Sequence, residues 1–182
     1  MLTNPLSTFL KPRTKIRGRT PAGYRPVLEL LERRDAPAGV VTTTQVGSSL
    51  VITGVDDLTN AGITGGLNNQ AITVVGGVAG EVSITGDLGT TINGSTKFSG
   101  ITNIKFNMGV GDDVVVMTGA DISGNVSFVG GTGNDTLTLG TTFGTQAFGS
   151  VSIVNSDGND TVTISGATSI AGALSVNGGG GN

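Results

Sequence analysis

From Gly39 onward the apolar residues sit in short runs that alternate with small polar ones and end at glycine, asparagine or aspartate. Ser49-Leu50-Val51-Ile52-Thr53-Gly54 and Gln70-Ala71-Ile72-Thr73-Val74-Val75-Gly76 are typical. A period of two sends one set of side chains inward and the other outward, and β-branched residues suit a pleated backbone. The pattern therefore predicts strands rather than helices. Five segments align, with second residues Val82, Ile104, Val126, Val151 and Leu174 spaced 22, 22, 25 and 23 apart. A glycine follows seven residues later each time, at Gly89, Gly111, Gly133, Gly158 and Gly181. After three of these glycines a second strand starts, at Asp113-Val114, Asp135-Thr136 and Asp160-Thr161. A third short element, as in Ile122-Ser123-Gly124, Phe148-Gly149 and Ile170-Ala171-Gly172, precedes the next unit.

One unit of this size cannot bury its apolar side alone, whereas stacked units pair strand on equivalent strand about 4.8 Å apart. The expected fold is all-β: a right-handed parallel β-helix or solenoid over residues 81–182, with about 22–25 residues per coil. Val82, Ile104, Val126, Val151 and Leu174 would form one internal ladder. Ser83, Lys105, Ser127, Ser152 and Ser175 would face outward. Residues 39–80 read as irregular capping strands, and a β-sandwich of hairpins is the structural alternative.

Residues 1–38 are of another kind. Eight Lys and Arg there face only Glu29, Glu32 and Asp35, a balance of 8 − 3 = +5. Disorder is expected, with a short helix near 27–34 ended before Pro37. The segment reads either as a tail or as an export and sorting leader. The remainder carries Lys97 and Lys105 against ten acids, 2 − 10 = −8, which argues against nucleic-acid binding. No run is apolar enough for a transmembrane segment.

Composition narrows the chemistry. The chain has 32 glycines but no Cys, His or Trp, which removes thiolate nucleophiles, Ser/His/Asp relays and ordinary zinc sites. Carboxylates, amides, hydroxyls and carbonyls remain, all ligands for hard cations. They cluster in three turns: Met108-Gly109-Val110-Gly111-Asp112-Asp113, Gly130-Gly131-Thr132-Gly133-Asn134-Asp135 and Asn155-Ser156-Asp157-Gly158-Asn159-Asp160. Asp112, Asp113, Asn134, Asp135, Asp157, Asn159 and Asp160 are thus candidate Ca²⁺ ligands. Equally, Gly and Asx residues could simply supply the geometry of a tight corner. No residue is assigned a catalytic role.

Two resemblances follow from these residues. Leu28-Glu29-Leu30-Leu31-Glu32-Arg33-Arg34-Asp35-Ala36-Pro37-Ala38, with its basic approach, resembles an N-terminal motif of planctomycete proteins expected to act outside the cell. That resemblance implies a surface or extracellular location. Residues 130–138 match G-G-x-G-x-D-x-U-x throughout and are similar to the repeats of RTX, or haemolysin-type, secreted proteins. In that family the turn backbone and aspartate bind Ca²⁺ between adjacent coils. RTX repeats recur every nine residues, however, whereas here one such turn occurs per coil.

The reading these features support is an exported structural or adhesin-like β-solenoid, calcium-stabilised if the turns hold Ca²⁺. Other surface proteins or polysaccharide are the expected partners. A polysaccharide-active parallel β-helix enzyme is one alternative, and a calcium-binding secretion module of a larger protein is another. The turn at Asn177-Gly178-Gly179-Gly180-Gly181-Asn182 breaks off where a further aspartate is expected, so more of the protein is expected C-terminally.

Overall fold

The computed structural model describes residues 39–55, 68–78, 80–140 and 146–181. The helix expected near 27–34, with the rest of the 1–38 leader, lies outside the described residues. What is described is all-β, built as two mixed sheets.

The first sheet contains β1 (Val40–Val46), β2 (Ser49–Gly54), β5 (Thr91–Asn93), β7 (Asn103–Val110), β9 (Asp121–Thr132), β11 (Gln146–Val154), β13 (Thr168–Ile170) and β14 (Leu174–Asn177). Its order is β13-β11-β9-β7-β2-β1-β5, with β14 also pairing with β11. The second contains β3 (Ala71–Gly76), β4 (Val82–Gly86), β6 (Lys97–Phe98), β8 (Val114–Thr118), β10 (Thr136–Leu139) and β12 (Thr161–Ile164), in the order β12-β10-β8-β3-β4-β6.

The aligned segments pair in parallel and in register. In the first sheet Leu50, Ile104, Val126, Val151 and Leu174 are successive neighbours, and two residues on come Ile52, Phe106, Phe128, Ile153 and Val176. In the second, Ile72, Val115, Leu137 and Val162 run alongside Val74, Met117, Leu139 and Ile164. The inward members from β2 to β11 and from β3 to β10 form one buried cluster drawn from both sheets. Burying each such side chain contributes about 1.5–3 kcal/mol. The Phe106 and Phe128 rings meet at 6.3 Å and 52° within it. The third element of the repeat runs straight into the next first strand, making β9 and β11 long. Ile122, Phe148 and Ile170 are neighbours there, and one register shift lies between Phe148 and Ser150.

Two expectations need correction. Val82 does not stand in the ladder; Leu50 takes that place, and Ser83 likewise does not join Lys105. The segment at 82 is β4, which folds back antiparallel on β3, so Val82 faces Gly76 and Ser83 faces Val75. The Gly77 N–H donates to the Glu81 carbonyl (3.0 Å), which closes this hairpin before β4 can reach β7. The pairing is also not parallel throughout, because β1 and β2 form a second antiparallel hairpin and β6 pairs antiparallel with β4.

Candidate functional site at the stacked turns

Each sheet-one strand β7, β9 and β11 leads through a turn into the sheet-two strand β8, β10 or β12, and the three turns lie one on another. Backbone bonds join them directly: Gly111 N–H donates to the Thr132 carbonyl (2.9 Å), and Gly133 N–H to the Asp157 carbonyl (3.0 Å). The corner needs glycine for two reasons. Gly133 sits at φ +123°, and a Cβ on it would strike the Gly111 carbonyl of the neighbouring turn.

The side chains make two further ladders that run in opposite directions. In one, each aspartate reaches back to the preceding turn: Asp135 N–H donates to Asp160 Oδ1 (2.9 Å), Asp113 N–H to Asp135 Oδ1 (3.0 Å), and Gln70 N–H to Asp113 Oδ1 (2.6 Å). In the other, the residue just before reaches forward. Asn159 N–H donates to Asn134 Oδ1 (2.9 Å), Asn134 N–H to Asp112 Oδ1 (2.7 Å), and Asp112 N–H to Asn69 Oδ1 (2.8 Å). Adjacent residues of one turn therefore satisfy backbone donors on both neighbours, which a tight corner otherwise leaves unmade.

The two ladders differ in burial. Asp113 is 0 % exposed and Asp135 1 %, whereas Asp112, Asn134 and Asn159 face outward. On the inner side Asp135 Oδ2 and the buried Asn155 Oδ1 have no hydrogen-bond partner. Both crowd the space where a Gly130 side chain would be. Burial pushes the Asp135 carboxyl up from its ordinary 3.8 to about 6, against the pull of the Asp113 N–H; the charges of Asp160 and Asp112 add to the rise.

Six of the seven candidate residues are thus brought into one stack. Asp157 takes part through its backbone instead: its carbonyl accepts from Gly133 N–H and it bridges to Gly180, while its side chain is exposed. Asn69 and Gln70 belong to the ladders and were not singled out from the sequence. Their signal was the likeness of Asn69-Gln70-Ala71-Ile72-Thr73-Val74 to Asn134-Asp135-Thr136-Leu137-Thr138-Leu139. Among the described residues no group of three or more His, Cys, Asp or Glu is placed to hold a metal ion. Two surface cavities of about 530 Å³ lie away from the turns, one beside Ile101, Ile122 and Phe148 and one beside Glu81, Lys97 and Phe98.

No family model, curated protein or solved structure matches this chain.

Proposed function

We propose that this chain is a structural, adhesin-like β-solenoid working at the surface or exterior of a bacterial cell. In this reading its repeats are coils of a right-handed parallel β-helix of about 22–25 residues, and residues 1–38 are its export or sorting leader. The observation that carries the reading is the use made of the turn carboxylates. Asp113, Asp135 and Asp160 each turn Oδ1 onto a backbone N–H of the neighbouring turn, so the acids of the repeat brace one unit against the next. Such bracing suits a spacer or display surface.

The test is location combined with turnover. In bacteria producing the full chain, added protease should remove it from intact cells, and deletion of residues 28–38 should leave it protected inside. Retention of the full chain in the cytoplasm sinks the surface reading. Release of oligosaccharides from a bacterial polysaccharide by the purified chain replaces it with the enzyme alternative.

A second reading, calcium stabilisation, is favoured by the buried and unpartnered Asp135 Oδ2 and Asn155 Oδ1. These free atoms and Asp160 Oδ2 are all oxygens, which fits a hard cation, and Asp135 and Asp160 with Asn155 would hold it. The ion would offset the carboxylate charge of the corner. Calcium at about a hundred times its dissociation constant adds about 2.7 kcal/mol to stability. A clear rise in melting temperature at millimolar Ca²⁺, lost in Asp135→Ala, is the expected outcome. An unmoved melting curve leaves the corner held by the protein alone.

A further inference from the structure

The cavity of about 530 Å³ beside Glu81, Lys97 and Phe98 lies away from the stacked turns, among the irregular strands that precede the parallel array. Three elements wall it: the β1–β2 hairpin through Gln45, the β3–β4 hairpin through Val75 and Glu81, and the edge strand β6 with Ser99 after it. These walls are tied to one another. Gln45 Nε2 donates to the Gly47 carbonyl (2.9 Å) and across to the Ser99 carbonyl (3.1 Å), and the Gly77–Glu81 bond closes the β3–β4 hairpin. β6 is held on β4 by the pairs Val82–Phe98 and Ser83–Lys97. Phe98 packs partly on the core and lines the cavity with the rest of its ring.

The charges on these walls set the cavity apart. Glu81 and Lys97 are of opposite sign, both are exposed, and neither forms an ion pair among the described residues. The β4–β6 register, carried one step further, sets Glu81 opposite Ser99. Glu81 and Lys97 are then diagonal neighbours on one face, with backbones about 7–8 Å apart. A carboxylate and an ammonium so placed, beside apolar Val75 and Phe98, match a small molecule that carries both charges and an apolar group.

We infer that this cavity binds a free α-amino acid with an apolar side chain. Glu81 takes its ammonium, Lys97 its carboxylate, and Val75 and Phe98 its side chain. Gln45 spends its amide N–H groups on Gly47 and Ser99, which leaves its Oε1 as a second acceptor for the ammonium. Size and charge choose this occupant. A dication or a dianion meets repulsion from one of the two walls. A peptide separates its terminal charges by about 3.3–3.6 Å for every residue, so beyond about two residues it overshoots the Glu81–Lys97 pair. Such binding lies outside the proposed function and uses none of the turn residues.

Exposed ion pairs are weak, so the expected dissociation constant for L-leucine is about 1 mM. In a titration of the full 182-residue chain with L-leucine to about 50 mM, backbone amide NMR shifts should gather at Gln45, residues 75–83 and residues 97–99. Isocaproate, which lacks the ammonium, and isoamylamine, which lacks the carboxylate, should each bind about three- to fivefold more weakly. Glu81→Gln and Lys97→Gln should weaken L-leucine by the same factor, with far-UV circular dichroism unchanged. The two analogues read the same contacts on the unaltered chain, whatever the variants do to folding. No shift at these residues across the titration overturns the inference. Equal binding of L-leucine and either analogue overturns it too, as does equal binding of glycine, which has no side chain for Val75 and Phe98.

Discussion

Gly133 meets a demand that no other residue type meets without strain. Its φ of +123° and the Gly111 carbonyl pressed against it both exclude a Cβ. Gly133→Ala should destabilise the chain by roughly 1–3 kcal/mol in urea unfolding, the usual range for a forced backbone conformation. Asp135 carries the opposite kind of tension, a carboxyl pushed up to about 6 by burial. An unfolded aspartate titrates near 4. Between these values the folded chain holds a proton that the unfolded chain has released, so stability should fall as pH rises from about 4 to about 6 and level off above that. Asp135→Asn should abolish that component of the slope, and parallel pH profiles for the two proteins would count against it. The residues that make this corner were partly legible. Asp113, Asp135 and Asp160 follow their glycines by two residues each time, and that phase survives in the structure. Gln70 was legible only through the likeness of its segment to residues 134–139, because it is uncharged and stands 43 positions before Asp113. Whether the acids serve a cation or the backbone was equally invisible, since spacing says nothing of where a second oxygen points.

At the scale of strands, alternation was legible and partnership was not. Glu81-Val82-Ser83-Ile84 has the same texture as Asn125-Val126-Ser127-Phe128, and both are strands. One pairs in parallel with β7 and the other turns back on β3. The difference lies in the connection, a hairpin closed between Gly77 and Glu81, rather than in the strand itself. Leu50 supplies the missing rung from 54 residues before Ile104, a spacing that no search for a 22-residue period would find. The cysteine-free chain allows a direct check. Lys105→Cys with Ser127→Cys places two thiols on facing neighbours of parallel strands, about 4.8 Å apart and within disulfide reach. Oxidation should cross-link that pair. Ser83→Cys with Lys105→Cys should stay reduced, and a cross-link there would restore the simple 22-residue ladder.

For the molecule as a whole, stability should be graded along the stack. Among the described residues the inward side chains of β7 and β9 have strand neighbours on both sides, whereas those of β12 and β14 have them on one. Local opening is easiest where few apolar contacts are lost. In hydrogen exchange, amides of β12 and β14 should exchange well before those of β7 and β9. Uniform protection from end to end would contradict this gradient.

The paired ladders of the corner bear on how such a chain can grow over evolutionary time. Because Asn134 satisfies a donor in the turn after it and Asp135 one in the turn before it, each unit carries both halves of its own joint. A gene duplication that copies one whole unit then inserts without redesign on either flank. A lone amino-acid change at Asp135 is borne instead by the Asp113 amide as well as by its own turn. Lengthening is easy for this architecture, and altering a single rung is not.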